Sequence, residues 1–256
     1  MYQFRFFGGF ALGQVIVITS GKGGTGKTTA CAAISSCLAA LGFKTLAIDC
    51  DVGLRNLDIS LGMSDFAVSD MADVTEGRTA LMDSVHEHPK LLGLYFLSAP
   101  LYKPESSISQ TAAAALFEKA RECFDFVLVD SPAGIGSGFE LAARDADSAI
   151  VVATANPASI RNAGRAVEVL EELGQHNIRL LINLVDKAGW HRYKTTIDDI
   201  IDAIGVRLIG IVRNDNAVPT AAVDEALLVL HSRGRAAHGF LDVARRLCGE
   251  ELPVGI

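Results

Sequence analysis

The chain has 256 residues, half of them apolar, with 23 Lys and Arg against 30 Asp and Glu and a net charge of −7. That balance is one of a soluble globular protein; it excludes a disordered or collagen-like chain and argues against holding nucleic acid by bulk positive charge. Five cysteines with no C-x-x-C pair (Cys31, Cys37, Cys50, Cys123, Cys248) suit free thiols in a reducing cytosol better than a disulfide framework or a metal cluster.

Residues 1–14 are read as an N-terminal extension. Arg5 and the run Phe6-Phe7-Gly8-Gly9-Phe10-Ala11-Leu12 loosely imitate a signal peptide, but no small-residue cleavage site follows. No apolar run approaches the ~18 residues of a membrane-spanning helix. Thereafter apolar β-rich runs alternate with helical patterns. Strands are predicted at Val15–Thr19, Lys44–Asp49, Leu92–Ala99, Phe126–Asp130, Ala149–Ala153, Ile178–Leu184 and Leu208–Val212. Helices are predicted at Thr28–Leu41, Ser109–Cys123, Ile160–Leu173, Ile197–Ile204, Ala221–Leu230 and Gly239–Leu247. Strands apolar on both faces, spaced by helices, imply an α/β fold: a doubly wound, mostly parallel sheet flanked by helices. With no repeat, linker or composition break, residues 15–253 read as one P-loop domain and residues 254–256 as its end.

Between the first strand and first helix, Ser20-Gly21-Lys22-Gly23-Gly24-Thr25-Gly26-Lys27-Thr28-Thr29 satisfies G-x-x-x-x-G-K-[ST]. Glycines let successive backbone N–H groups curl around a phosphate, and the helix that follows adds its positive end. Lys27 is expected at the β- and γ-phosphates and Thr28 on Mg²⁺. The nucleotide contacts assigned to the loop are Gly21, Lys22, Gly23, Gly24, Thr25, Gly26, Lys27, Thr28 and Thr29. Lys22 is too far back to serve the γ-phosphate of its own loop; a solvated surface lysine is the plain alternative.

Three aspartates follow strand ends, where ligands of open α/β sheets bind. Asp49 and Asp51 share a side if the chain stays extended, so they can order water around Mg²⁺ and align an attacking water. Asp130, closing Phe126-Val127-Leu128-Val129, is placed to hold Mg²⁺ directly or through water, with Gly134 sensing the γ-phosphate. The plain reading of each is a helix cap or turn residue. Thr28, Asp49 and Asp130 are the candidate metal residues, and Lys22, Lys27 and Asp51 the candidate catalytic ones.

The loop Lys22-Gly23-Gly24-Thr25-Gly26-Lys27-Thr28 resembles the deviant Walker A motif of the ParA/MinD family of P-loop ATPases. The resemblance runs from about Val15 to about Pro253. It implies slow, Mg²⁺-dependent ATP hydrolysis in a face-to-face homodimer, with Lys22 reaching the nucleotide of the partner subunit. Gly53-Leu54-Arg55-Asn56-Leu57-Asp58, Leu61-Gly62 and Asp130-Ser131-Pro132-Ala133-Gly134-Ile135 are similar to the switch sequences of the branch that places the bacterial division site. That branch implies a protein regulator of the MinE or DivIVA-linked type and a cytoplasmic protein working at the inner face of the cell membrane. Segregation of DNA or cargo by a ParA-type ATPase is the alternative. A metallocluster carrier is disfavoured by the cysteine spacing.

The sequence departs from the family pattern in three places. Asn183 stands where the family has an adenine-contacting Asn, but Leu184 replaces the usual Arg, and Asn183-x-x-Asp186 also resembles a guanine-reading motif. Val212-Arg213-Asn214-Asp215 replaces V/I-P-E-D. Glu250-Glu251-Leu252-Pro253-Val254-Gly255-Ile256 stands where a membrane-inserting amphipathic helix is expected to begin, leaving membrane contact open. The apolar spacing of Phe240, Leu241, Ala244 and Leu247 suits packing on the sheet; an interfacial helix, or an anchor made by Phe4, Phe6, Phe7 and Phe10, is the alternative.

Overall fold

Val15–Ile18, Leu46–Ile48 and Val127–Val129 are wholly buried, and each forms the middle of a strand in the eight-stranded sheet of the computed structural model. The structure describes residues 12–53, 55–66, 69–100, 108–186, 193–224, 226–231 and 234–254. The reading of residues 1–14 as an extension lies outside these as far as position 11, as do Leu54 of the first switch sequence and residues 255–256.

The strands are β1 Gln14–Thr19, β2 Thr45–Asp49, β3 His86–Glu87, β4 Leu94–Leu97, β5 Phe126–Asp130, β6 Ser148–Ala153, β7 Ile178–Val185 and β8 Arg207–Arg213. Their order is β3-β4-β2-β5-β1-β6-β7-β8, parallel throughout except for the β3–β4 edge pair. The chain moves from β1 outward to β2 and β4, returns to β5 beside β1, and crosses to β6 on the other side. That reversal puts a crevice over the carboxyl ends of β1 and β5.

The helices are α1 Lys27–Ala40, α2 Leu57–Leu61, α3 Met71–Thr75, α4 Leu81–Ser84, α5 Gln110–Cys123, α6 Ser137–Ala143, α7 Pro157–Glu172, α8 Ile197–Ile204, α9 Ala217–Val223, α10 Leu228–His231 and α11 Arg235–Leu247. One face of the sheet packs against α5, α7 and α8 through Phe117, Val167 and Ile200; the other packs against α1, α2 and α11 through Ile34, Leu57 and Phe240. Both faces are therefore covered, as the two-sided apolar strands require. Among the described residues no helix is long and apolar enough to cross a membrane.

The stretch between β2 and β4, which carries no predicted element, holds α2, a 3-10 turn at Ser64–Phe66, α3, α4 and β3. These pieces are too short to show a period. Only α3 has a readable start: Asp70 accepts from the amides of Ala72 and Asp73, and the Asp73 side chain accepts the Asp70 amide in return. Helix α2 is tethered at both ends. The Leu57 amide donates to Asp49 Oδ2 at 3.2 Å, and the Leu61 carbonyl lies 3.0 Å from His88 Nε2. Because His88 Nδ1 accepts the Lys90 amide, Nε2 carries the proton and donates it.

The helix predicted at Ala221–Leu230 is two helices, α9 and α10, with residue 225 between them outside the described set. The Ala226 amide returns to the Ala221 carbonyl, a turn that takes Leu227 and Leu228 both into the core. The last helix starts at Arg235, ahead of Gly239. Gly239 sits mid-helix because a Cβ there would press on the Ile211 carbonyl. Phe240, Val243 and Ala244 of this helix are buried against the sheet face and α1.

Candidate functional site

The predicted loop spans the end of β1 and the start of α1. Gly26 caps α1 at φ +83°, and among the described residues no side chain bonds the first-turn amides of the helix. Those amides and the positive helix end are left for an anion. The loop is gripped from two sides. Asn183 Nδ2, buried, donates to the Thr25 carbonyl at 2.9 Å, and a Cβ on Gly26 would overlap that nitrogen. A Cβ on Gly21 would overlap the Asn162 carbonyl of α7. Ser20 Oγ donates to the Lys22 carbonyl at 2.8 Å, and Ser131 Oγ donates to Thr19 Oγ1 at 2.9 Å, tying β5 to β1 beneath the loop.

The two lysines differ in surroundings. Lys27 is buried, with Nζ 2.9 Å from Asp130 Oδ1. Lys22 is exposed, and its ammonium has no hydrogen-bond or ion-pair partner among the described residues. Thr28 lies at the start of α1, half-buried, close enough to Asp130 to help hold that carboxyl down. Thr29 follows, also half-buried; Gly23 and Gly24 are exposed at the loop tip.

The aspartates meet at the strand ends. Asp49 and Asp130 are register partners closing β2 and β5, both buried. Burial and the neighbouring Asp130 push the Asp49 carboxyl up to about 7, against the pull of the Asp51 and Leu57 amides that it accepts. Burial also raises Asp130, opposed by Lys27 and Thr28. Asp51 is half-buried and raised by burial, while Lys27 draws it down. Gly134, at φ +91°, stands half-buried in the turn after β5.

Two buried polar atoms at this site have no partner among the described residues: Asp130 Oδ2 and Thr25 Oγ1. One is an anionic acceptor for a cation or its water, the other a donor for a phosphate oxygen. Among the described residues no group of three or more His, Cys, Asp or Glu could hold a metal unaided. One or two carboxylates, a threonine and nucleotide phosphates are what Mg²⁺ uses in such sites, and the residues fit it.

Beside the loop lies a cavity of about 80 Å³ between Gly26 and Thr29, Asn183 and Leu184, and Asn214 and Asp215. Two of the three sequence departures thus share one pocket. Leu184 is 43% exposed at φ +56°, in a bulge where the β7–β8 register slips. Asp215 spends its carboxylate on two helix starts, accepting from the Ala217 amide at 3.0 Å and the Ala236 amide at 3.2 Å; these bonds hold it below the usual carboxylate range.

Sequence reasoning missed Ser20, Ser131 and Asn162, which hold the loop in place. Nothing local marks Ser131 or Asn162, because their partners Thr19 and Gly21 are distant in the chain, and Ser20, bonded to the Lys22 carbonyl two residues on, reads as one more residue of the loop. It also missed the ion pair of Arg55 (φ +44°) with buried Asp58, 3.7 Å apart.

A doubly wound sheet with a glycine loop running into an uncapped helix defines the P-loop class of nucleotide-binding proteins. The family described as CobQ/CobB/MinD/ParA nucleotide binding domain matches residues 16–228, and the chain belongs to this family. It is similar to the septum site-determining protein MinD of Bacillus subtilis (strain 168), 33% identical over 250 residues that cover 96% of this chain and 92% of that protein. It is also similar to MinD of Thermotoga maritima, 34% identical over 95% of this chain and 91% of that one. Among solved structures, the MinC:MinD cell division protein complex of Aquifex aeolicus superposes with a TM-score of 0.87 at 36% identity, covering 95% of this chain and 98% of that one.

Proposed function

We propose that this chain binds ATP with Mg²⁺ at the loop and works as a slow ATPase and dimerisation switch in bacterial division-site placement. The observation that carries the reading is the contrast between the two loop lysines. Lys27 is buried on Asp130, within its own site, whereas Lys22 is exposed and unpartnered on the same loop. A free lysine beside a phosphate cradle suits a nucleotide held by a second copy.

Lys27 Nζ and the α1 amides set the β- and γ-phosphates in place, with Gly134 close to the terminal phosphate. Mg²⁺, when bound, neutralises phosphate charge that develops during transfer. Thr28 and Asp130 Oδ2 would hold it, with Asp49 through water. Asp51 orients the attacking water, and the rate comes from positioning and fixed charge. Asn183 and Leu184 border the base, and the occupant of that pocket is read as adenine because the family's members are ATPases. The septum-site name of the relatives favours division-site placement over DNA or cargo segregation. A protein partner is supported by the MinC-bound neighbour; a regulator of the MinE or DivIVA-linked type belongs to the same proposal.

The test is Lys22→Ala. Light scattering should show an ATP-dependent dimer for the parent chain and none for the variant, with unchanged melting. A variant that still dimerises with ATP overturns the role of Lys22 across the interface.

A further inference from the structure

The amino ends of the strands, opposite the phosphate loop, border a cavity of about 790 Å³. It runs from the starts of β6, β7 and β8 to the end of α11 and the segment 249–253. Its volume falls in the range of small-ligand sites, roughly 300–1,000 Å³. Arg179 and Arg207 stand on it as direct register partners on the neighbouring strands β7 and β8. Leu181 and Ile209, two residues further along each strand, belong to the core beneath α1 and α11, so both arginines face the side of the sheet that α11 covers.

Like charges opposite each other across strands destabilise a sheet. Here neither guanidinium has a hydrogen-bond or ion-pair partner among the described residues, in a protein with a net charge of −7. Arg246, on α11, adds a third guanidinium to the same cavity. It donates to the carbonyls of Ile209 at 2.9 Å, Pro253 at 2.8 Å and Leu252 at 3.2 Å, so it straps the wall in place without being neutralised. Of the two carboxylates on the cavity, Glu250 is bonded to Arg245, and Glu251 is exposed.

We propose that this cavity is a second anion site, built for a phosphate group held between the forks of Arg179 and Arg207. Guanidinium forks match phosphate oxygens two at a time, and the bound anion removes the repulsion between the strands. The phosphate can belong to a soluble phosphate compound or to a lipid headgroup.

The experiment uses protein saturated with Mg-ADP, so that the loop is occupied. Inorganic phosphate is titrated while amide NMR shifts are followed; separately, phosphatidylglycerol and phosphatidylcholine vesicles are co-sedimented with the protein. Saturable shifts at Arg179, Arg207 and Ile209 support the site with a soluble source. Pelleting only with phosphatidylglycerol supports it with a headgroup source. In either arm R179Q/R207Q should weaken binding about tenfold or more, the loss of at least one charged hydrogen-bonded pair, with ADP affinity unchanged. R207Q alone, at an exposed position, should also weaken binding and raise the melting temperature in phosphate-free buffer; it serves if the double variant fails to fold. No binding in either arm, or binding that survives these substitutions, overturns the proposal.

Discussion

Asp49 and Asp130 stand opposite each other in register at the carboxyl ends of β2 and β5, two buried carboxylates with one lysine, Lys27, bonded to Asp130. Lys27 is therefore the cation set against two like charges at the strand ends, while backbone amides and Asn183 hold the surrounding chain.

Lys27→Met should accordingly cost more than a lost ligand contact. It leaves Asp130 buried without its cation, a loss of about 3–5 kcal/mol of stability. Adding Asp130→Asn should restore part of that loss. Urea unfolding of the two single variants and the double variant, without nucleotide, checks the coupling; strictly additive losses would refute it.

The raised carboxyl of Asp49 makes a statement about pH. In the unfolded chain this group ionises near its ordinary value of 3.8, in the fold at about 7. Between those values the folded protein holds a proton that the unfolded chain has released, so folding stability falls as pH rises from about 4 to about 7. Asp51 and Asp130, also raised, act in the same sense. In chelator and without nucleotide, the urea midpoint should drop between pH 5 and 7.5, and Asp49→Asn should flatten the slope. A midpoint that climbs over this interval contradicts the charge arrangement.

Gly21 and Gly24 separate two reasons for a loop glycine. Gly24 is at φ +81° with open space where a Cβ would stand, so Gly24→Ala meets only backbone strain, about 1–2 kcal/mol. Gly21→Ala drives a methyl into the Asn162 carbonyl, forcing the loop from α7. Thermal melting and ADP titration should show the second as the more damaging in both readouts.

Asp215→Ala should remove two helix caps at once, those of Ala217 and Ala236. Each cap is worth about 1 kcal/mol. Guanidinium unfolding should report a loss of about 2 kcal/mol, with ADP affinity little changed. Asp215→Asn, which keeps one acceptor, should fall between the two.

The strands, the loop and the three aspartates were legible because each rests on a local pattern: two-sided apolar runs, a fixed glycine spacing, an acid at a strand end. What bonds those parts was not. Family likeness points Asn183 at the base, whereas the bond its buried amide makes is to the Thr25 carbonyl, a contact spanning most of the chain that no local pattern announces. The region of α2 to β3 was silent because elements of two to five residues show no period. The start of α7 was available in principle: Asn156 caps the Ala158 amide and Pro157 takes the first helical position. The Asp215 cap was hidden because one of the two amides it holds, that of Ala236, lies 21 residues away.

The grip of Asn183 and Asn162 on the phosphate loop has a mechanical consequence. A seat already bonded in place before its occupant arrives asks little ordering of the chain on binding. The same strand end carries a second attachment: Asp49, which faces Asp130 across the register, also accepts the Leu57 amide that opens α2, and the far end of α2 meets His88 just ahead of β4. Two hydrogen bonds and one short helix therefore span the distance from the aspartate pair to the edge of the sheet.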